Sequence, residues 1–485
     1  MTSRTTRSSA QRTGSRVGSR SPRHKALAAV SLAAVAALGL AACSSSKNSS
    51  NNSASTTPTT SSSSTDTSSP STSTPASPAA GGSALPAQLN DGKAVTLTWW
   101  HNANQDPGKT AFQKVADDFH AKYSNVTINV QPFQNEDIKT KIPIALQGTP
   151  PDIFQQWGGG ALAQQVQSGK LADITQYTQS WIGDLGKGAA GWAVDGKQYG
   201  VPYDYHVVGF WYRTDLFQKA GISSPPATFD DLLSDITKLK AAGITPMALG
   251  GKDKWPDAFY WENFILKECP QDAVVSSLDA KKFTDPCFTK AGDDLKKLID
   301  AKPFQTGFLA TSAQQGAGSS AGLVANGKAA MELQGDWEMA VMPSLTSDKD
   351  FASKMGFFPF PSVSGGQGTP GAALGGGDGF SCSTKAPAVC AAFLQYLTSA
   401  DVETQLVKAT AVTIPSNGNA TAAITDPTLK KVLTYLQGVS YNQLYFDQYM
   451  TASIGNAIND AVSNFMAGQG TSADLAGAVA KAASQ

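Results

Sequence analysis

Tryptophans flanked by polar side chains are the residues of this sequence whose types and spacing best suit a chemical task. Trp157 follows two glutamines, Trp255 follows two lysines and an aspartate, and Trp337 follows an aspartate. An indole ring offers an apolar face that can stack on the C–H face of a sugar ring, while adjacent carboxylates and amides can bind its hydroxyl groups. Side chains of these types can bind a polyhydroxylated ligand noncovalently in a concave site.

Packing in the core is the alternative role for any tryptophan. We expect core positions for Trp99, Trp181, Trp192 and Trp211, whereas the sequence leaves Trp261 open between the core and the site.

Residues that could perform catalysis are few. Residues 318–322 match the GxSxG pattern, but in hydrolases with that pattern the catalytic histidine follows the serine. His101, His120 and His206 all precede it. The HExxH and phosphate-loop patterns are absent. A secreted glycosidase stays open as an alternative, because a large acidic chain offers many carboxylate pairs. We expect a protein that is not an enzyme.

The distribution of charge argues against anionic partners. The whole chain has a formal net charge of zero, but residues 1–42 carry basic residues and no Asp or Glu, so the remainder is mildly acidic. Nucleic-acid binding needs clustered Lys and Arg and is therefore not expected. Arg213 is the only arginine after residue 42, which disfavours a phosphate or carboxylate ligand and favours an uncharged one.

The N-terminus has the organisation of an export signal. A basic segment (residues 4–25) precedes an apolar run (residues 26–40) that is too short to span a bilayer, and Cys43 follows small residues. This arrangement resembles the bacterial lipoprotein signal, so we predict a signal peptide over residues 1–42 and lipidation of Cys43. An ordinary secretory signal is the alternative. Residues 43–93 are rich in Ser and Thr and are predicted to be a disordered tether.

Four cysteines remain after Cys43, and an even number in an exported chain suggests two disulfides. The closest spacings favour Cys269 with Cys287 and Cys382 with Cys390, while two other connectivities stay open. The spacings do not match zinc-binding patterns, and we expect neither a metal site nor a cofactor.

A long apolar block, residues 199–217, is predicted to be a strand buried on both faces that ends at a short helix. A strand at residues 94–100, a helix with apolar residues at helical spacing, and a strand at residues 126–130 precede it. This order predicts a mixed α/β sheet covered by helices.

Four stretches, in chain order, resemble the extracellular solute-binding proteins of ABC importers, in the branch that binds sugars. They are TPPDIFQQWGG (149–159), YGVPYDYHVVGFWYRTDLFQKAGI (199–222), GKAAMELQGDW (327–337), and GGGDGF with AAFLQYL (375–380 and 391–397). The resemblance covers roughly residues 94–485. Arg213 departs from it, because the family more often has Asn there, and we expect a local ion pair with Asp215.

The resemblance implies an α/β, two-lobe periplasmic-binding-protein-like fold with a hinge and an interlobe ligand cleft. Crossovers are expected near Asp204, Gly375 and Pro415. The implied division is residues 94–204 and 375–415 for lobe 1, and residues 205–374 and 416–485 for lobe 2.

The implied function is capture of a neutral oligosaccharide and its delivery to the transmembrane subunits of an ABC permease. The sugar of best fit is xylobiose or a xylo-oligosaccharide. The protein is expected to be a monomer held by a lipid anchor at the extracellular face of the cell membrane. A cell-surface carbohydrate-binding module is the other alternative.

The expected ligand-binding residues lie within or beside these motifs and the tryptophan clusters. They are His101, Asn102, Gln155, Gln156, Trp157, Tyr203, Asp204, Lys252, Asp253, Trp255, Asp336, Trp337, Asp378, Tyr445 and Asp447. The carboxylate of Asp336 is expected to accept hydrogen bonds from the sugar. Tyr445 and Asp447 are expected to open a long helical region that can reach the cleft.

Overall fold

The computed structural model describes residues 84–484. The predicted signal peptide, Cys43 and most of the predicted tether lie outside the described residues. The strands are β1 (Val95–His101), β2 (Val126–Pro132), β3 (Ile153–Gln156), β4 (Ala193–Val194), β5 (Lys197–Gln198), β6 (Gly200–Pro202), β7 (His206–Arg213), β8 (Thr245–Met247), β9 (Ala329–Gly335), β10 (Met355–Phe358), β11 (Ala372–Gly376), β12 (Gly379–Cys382) and β13 (Tyr441–Leu444).

The helices connect and cover these strands. They are α1 (Gly108–Lys122), α2 (Asn135–Leu146), α3 (Gly159–Val166), α4 (Thr175–Thr178), α5 (Thr214–Lys219), α6 (Phe229–Ala241), α7 (Trp255–Glu268), α8 (Gln271–Ala280), α9 (Pro286–Asp300), α10 (Ser320–Ala325), α11 (Glu338–Val341), α12 (Pro387–Leu397), α13 (Ala400–Lys408), α14 (Pro427–Gly438), α15 (Phe446–Tyr449), α16 (Ala452–Met466) and α17 (Ser472–Ala483).

The first sheet has the strand order β2-β1-β3-β12-β6. β1 is parallel to β2 and β3, whereas β12 is antiparallel to β3 and β6. Because side chains alternate along a strand, Leu97, Trp99 and His101 of β1 share one face, and all three are buried. Apolar residues at helical spacing on α1 are buried as well. The predicted β-α-β unit is confirmed.

The second sheet has the order β13-β11-β7-β9-β8, and β10 also pairs with β7. β7 is the central strand, and every residue in it except Tyr212 is buried. The block predicted as one strand is divided by residues 203–205 into β6, which belongs to the first sheet, and β7, which belongs to the second. The block therefore carries the chain from one sheet to the other.

Three connecting segments between the sheets lie side by side. The amide of Tyr203 donates to the carbonyl of Asp378, and the amide of Tyr205 donates to the carbonyl of Ile414. Asp204 forms a bridge with Pro415. Asp204 and Pro415 thus lie in these segments, while Gly375 lies inside β11. The assignment of whole ranges to two lobes stays a prediction.

Both expected disulfides are present. Cys269 at the end of α7 is bonded to Cys287 in α9, and Cys382 at the end of β12 is bonded to Cys390 in α12.

The tryptophans predicted to pack in the core are buried, and Trp261, which the sequence left open, is completely buried too. The expected ion pair is also present, with Arg213 Nη2 2.7 Å from Asp215 Oδ2.

Two features complete the fold. Phe446 begins only the four-residue helix α15, so the long helical region predicted from Tyr445 is interrupted before α16. Within residues 84–484, no helix has the length and apolar character needed to cross a membrane.

Candidate functional site

The carboxyl ends of strands from both sheets converge on one cavity of about 160 Å³. Asn102 follows β1, Trp157 follows β3, Trp337 follows β9 and Tyr445 follows β13. This is the edge of an α/β sheet where ligands commonly bind, because loops leaving the strands can present side chains without disturbing the sheet. Nine predicted ligand-binding residues line the cavity: Asn102, Trp157, Tyr203, Asp204, Trp255, Trp337, Asp378, Tyr445 and Asp447.

Trp337 is the centre of an aromatic wall. Its ring lies 5.0 Å from His206, 6.1 Å from Trp255 and 6.3 Å from Tyr445, measured between centroids, and all three contacts are edge-to-face. The indole lies against the backbone of Gly335, where a Cβ atom would come within 2.2 Å of the ring. A glycine at this position is therefore what allows the indole to take its place at the cavity.

Asp336 lies behind this wall and is completely buried. Its carboxylate accepts hydrogen bonds from the Val207 amide at 2.9 Å and from the Thr413 hydroxyl at 2.5 Å, and it lies 3.1 Å from His206 Nδ1. It does not line the cavity. Asp336 holds the imidazole in place through these contacts, and its expected hydrogen bond to a ligand stays a prediction.

His206 and two aspartates form the charged floor of the cavity. His206 Nε2 lies 3.1 Å from Asp204 Oδ1 and 3.8 Å from Asp378 Oδ2. Although burial acts to lower the pKa of His206, the carboxylates of Asp204 and Asp336 raise it well above its usual value. Burial raises the pKa of Asp204, and His206 opposes that effect.

The same three residues are the described side chains whose ligand atoms, all within 4.8 Å of one another, could surround a metal ion. Two carboxylates and an imidazole can also exchange hydrogen bonds with hydroxyl groups, which donate and accept. The cavity floor therefore provides polar partners beneath the aromatic wall.

On the opposite side of the cavity, α2 reaches toward the aromatic residues. Trp255 Nε1 donates to Glu136 Oε1 at 3.0 Å. Lys139 Nζ lies 5.9 Å from the ring centroid of Trp157 and 5.2 Å from that of Trp255. Among the described residues that line the cavity, Lys139 is the only lysine or arginine.

Five other predicted ligand-binding residues lie outside the cavity lining. His101 and Gln155 are completely buried, and burial lowers the pKa of His101 to about 3. Gln156 accepts from the amides of the two residues that follow it. Lys252 is exposed on a short turn, and Asp253 accepts from the Ala313 amide at 2.7 Å. These five residues do not line the cavity, and the oxygens of Gln156 and Asp253 accept from backbone amides instead.

Several cavity residues were not predicted from the sequence. They are Asn104, Gln105, Gln134, Asn135, Lys139, His206, Phe259, Gln314, Thr413 and Gln448. Gln134 and Asn135 lie two and three residues after the end of β2, so the rule that ligand residues follow strand ends would have found them. His206 stands two residues after Asp204 in a stretch that the sequence analysis had already selected.

Comparison with known proteins defines the class of this protein. Residues 102–404 match the bacterial extracellular solute-binding proteins, which is more than half of the chain. The chain therefore belongs to that family, whose members are binding proteins and not enzymes.

Individual relatives agree with this assignment. An uncharacterized ABC transporter extracellular-binding protein of Pyrococcus horikoshii, PH1214, is 29% identical over 49% of this chain and 54% of that protein, so the chain spans about half the length of this relative. The multiple sugar-binding protein of Streptococcus mutans is 25% identical over 66% of this chain and 76% of that protein.

Solved structures support the fold. A structure from work on xylan utilization by Caldanaerobius polysaccharolyticus has a TM-score of 0.73 at 26% identity and covers 80% of this chain and 99% of that one. A chitin oligosaccharide binding protein has a TM-score of 0.71 at 24% identity, covering 81% of this chain and 98% of that one. The predicted two-lobe α/β fold is confirmed.

Proposed function

We propose that this protein is the sugar-binding component of an ABC importer, which captures a short neutral oligosaccharide and delivers it to a membrane permease. The observation that carries the proposal is the cavity at the strand ends, where aromatic rings stand above carboxylates and carboxamides. Stacked rings can hold the apolar faces of a sugar, and the polar groups can satisfy the hydroxyls that become buried with it.

The charges at the cavity favour an uncharged ligand. Asp204, Asp378 and Asp447 line it, and Lys139 is close to Glu136, at 3.8 Å. The guanidinium of Arg213 is bonded to Asp215 and to the carbonyls of α10, away from the cavity. An anionic ligand would therefore meet several carboxylates without an arginine to pair with it.

Xylobiose or a xylo-oligosaccharide is the ligand that we propose. The structure from work on xylan utilization and the oligosaccharide-binding neighbour support a ligand of this class. A pentose ring has no exocyclic hydroxymethyl group, so a xylose chain needs less room between the cavity residues than a hexose chain of the same length.

We further propose that ligand binding closes the two lobes about the segments near Asp204, Asp378 and Pro415, and that the permease senses the closed form. Hydrogen bonds between the two proposed lobes support this step. Ser344 Oγ donates to Gln105 Oε1 at 2.6 Å, and the Ala452 amide donates to Gln164 Oε1 at 3.0 Å. Such contacts can form only when the two sides are close together.

The cellular setting that we propose is a monomer anchored at the extracellular face of the membrane by a lipid on Cys43. The tether of about fifty residues would give the folded part a root-mean-square reach of roughly 40 Å if it behaves as a coil. The receptor could then reach nearby permeases while it remains attached.

A thermal-shift screen tests the proposal. The protein is heated with pentose and hexose mono-, di- and trisaccharides, and hits are measured by calorimetry. A ligand present at 100 times its Kd stabilises the native state by about 2.7 kcal/mol, which is readily detected. Stabilisation by xylobiose or xylotriose, without stabilisation by glucuronate, is the expected result. A screen in which no sugar raises the melting temperature would overturn the proposal.

Two further measurements separate the alternatives. Overnight incubation with labelled oligosaccharide should return it intact, whereas a glycosidase would shorten it. Sedimentation with insoluble xylan should leave the protein in solution, because a closed cavity cannot enclose a polymer. A carbohydrate-binding module would sediment with the polymer.

A further inference from the structure

Lys139 occupies the space between two tryptophans that come from opposite sides of the cavity. Trp157 follows β3 of the first sheet, and Trp255 begins α7, which packs on the second sheet. The ammonium nitrogen lies 5.9 Å from the first ring centroid and 5.2 Å from the second. Both distances lie within the range of a cation–π contact.

One carboxylate and the two indoles contact the ammonium. Glu136 Oε1, one turn earlier on α2, lies 3.8 Å from it and also accepts the Trp255 indole N–H at 3.0 Å. Lys139 acts electrostatically on the carboxyls of Asp253 and Asp447, lowering the pKa of each against the larger effect of burial. The side chain is about one-third exposed, so displacing it would give up these contacts while recovering only part of its hydration.

We propose that Lys139 is a specificity-determining residue that limits the length of the bound sugar by filling the space between Trp157 and Trp255. The inference rests on the proposed function, because it concerns the sugar bound in the same cavity. Without the ammonium, the two indoles could offer a stacking position for one more sugar ring. With the ammonium between them, the sugar is confined to the inner part of the cavity, beside Trp337 and Tyr445.

The test measures sugar affinity against chain length for four forms of the full chain. Calorimetry gives the Kd for a series of xylo-oligosaccharides for the parent, Lys139→Ala, Lys139→Met and Lys141→Ala. The Met side chain keeps an unbranched stem of similar size but carries no charge, so it separates filling of the space from the effect of the ammonium. Lys141 is an exposed lysine of the same helix whose Nζ lies 5.4 Å from the Phe133 ring, and it is absent from the cavity lining.

The parent should bind one length best and the next longer sugar more weakly. Lys139→Ala should lower the ratio of the Kd of the longer sugar to that of the preferred sugar by about tenfold, because a stacking position opens. Lys139→Met and Lys141→Ala should leave this ratio near the parent value. Melting temperatures of the four forms check that each is folded.

Other results would contradict the inference, and one of them would also contradict the proposed function. An unchanged ratio in Lys139→Ala, or affinities that fall equally for every length, would show that Lys139 does not limit length, while the proposed function would stand because sugar is still bound. The same change in ratio for Lys139→Met would assign the effect to charge and overturn the role of filling. A parent that binds no oligosaccharide would remove the proposed function and this inference together.

Discussion

Replacing Trp337 by Ala is the sharpest test of the proposed sugar cavity. A sugar ring stacked on one face of the indole covers an area on the order of 80 Å², and about 25 cal/mol per Å² of apolar area gives about 2 kcal/mol. That is about thirtyfold in Kd. Because the side chain is only half-buried at the cavity, the variant should lose less folding stability than a core substitution would cost.

Trp261→Ala is the matched control. Trp261 lies in α7, is completely buried, and donates through Nε1 to the carbonyl of Phe288 at 3.3 Å. Truncating a fully buried tryptophan typically costs ~3–5 kcal/mol of unfolding free energy. The control variant should therefore melt far below the parent and, at temperatures where it remains folded, bind sugar with parental affinity.

The assay combines ligand-free melting with calorimetric titration of the same samples, so that stability and affinity are read independently. The expected pattern is a large affinity loss with a small melting shift for Trp337→Ala, and the reverse for Trp261→Ala. If Trp337→Ala instead melts as low as the control and binds sugar normally while folded, the indole is a core residue and the aromatic wall is not part of the site.

Three other predictions concern export, disulfides and pH. Cys43→Ser should release the protein into the medium, and a variant that still fractionates with membranes would contradict lipidation. Reduction should lower the melting temperature without abolishing sugar binding, because bridges with sequence separations of 18 and 8 residues contribute about 3 kcal/mol or slightly less each; four free thiols by mass spectrometry in the exported protein would exclude the bridges. Burial raises the pKa of Asp257 to about 7, so this group favours folding at low pH and loses that contribution as pH rises from about 4 to about 7. Melting scans should show a smaller decline with pH for Asp257→Asn than for the parent.

Several features could be predicted from the sequence because their signals come from residues close together in the chain. The buried alternation of β1 and the short spacing of each cysteine pair depend on residues near one another in the chain. The apolar pattern alone does not show the division of residues 199–217 between two sheets, which the family resemblance placed near Asp204. Both halves are equally apolar, and only pairing with β12 on one side and β9 on the other separates them.

Differences between the predicted site and the cavity lining have physical causes that can be traced to single residues. Side chains alternate along β1, so His101 lies on the same face as Trp99 and is buried with it. The motif comparison did not take this alternation into account. Asp336 and Trp337 are neighbours in sequence, yet Asp336 is buried behind the aromatic wall, whereas Trp337 forms part of it. Lys139 and Thr413 belong to no recognised motif and reach the cavity only through the tertiary fold.

The polar groups beneath the aromatic wall also connect the segments that join the two sheets. Asp336 follows β9 of the second sheet and binds Thr413, two residues before Pro415, while His206 opens β7 directly after the first crossing. Asp204, in that crossing, accepts the Asp378 amide of another crossing at 2.8 Å. A ligand that exchanges hydrogen bonds with Asp204 or His206 would thus act on the residues about which the lobes are proposed to rotate. A ligand shifts a conformational equilibrium only through its different affinity for the two states, so contacts at this position would favour the closed form only if they are stronger there than in the open form.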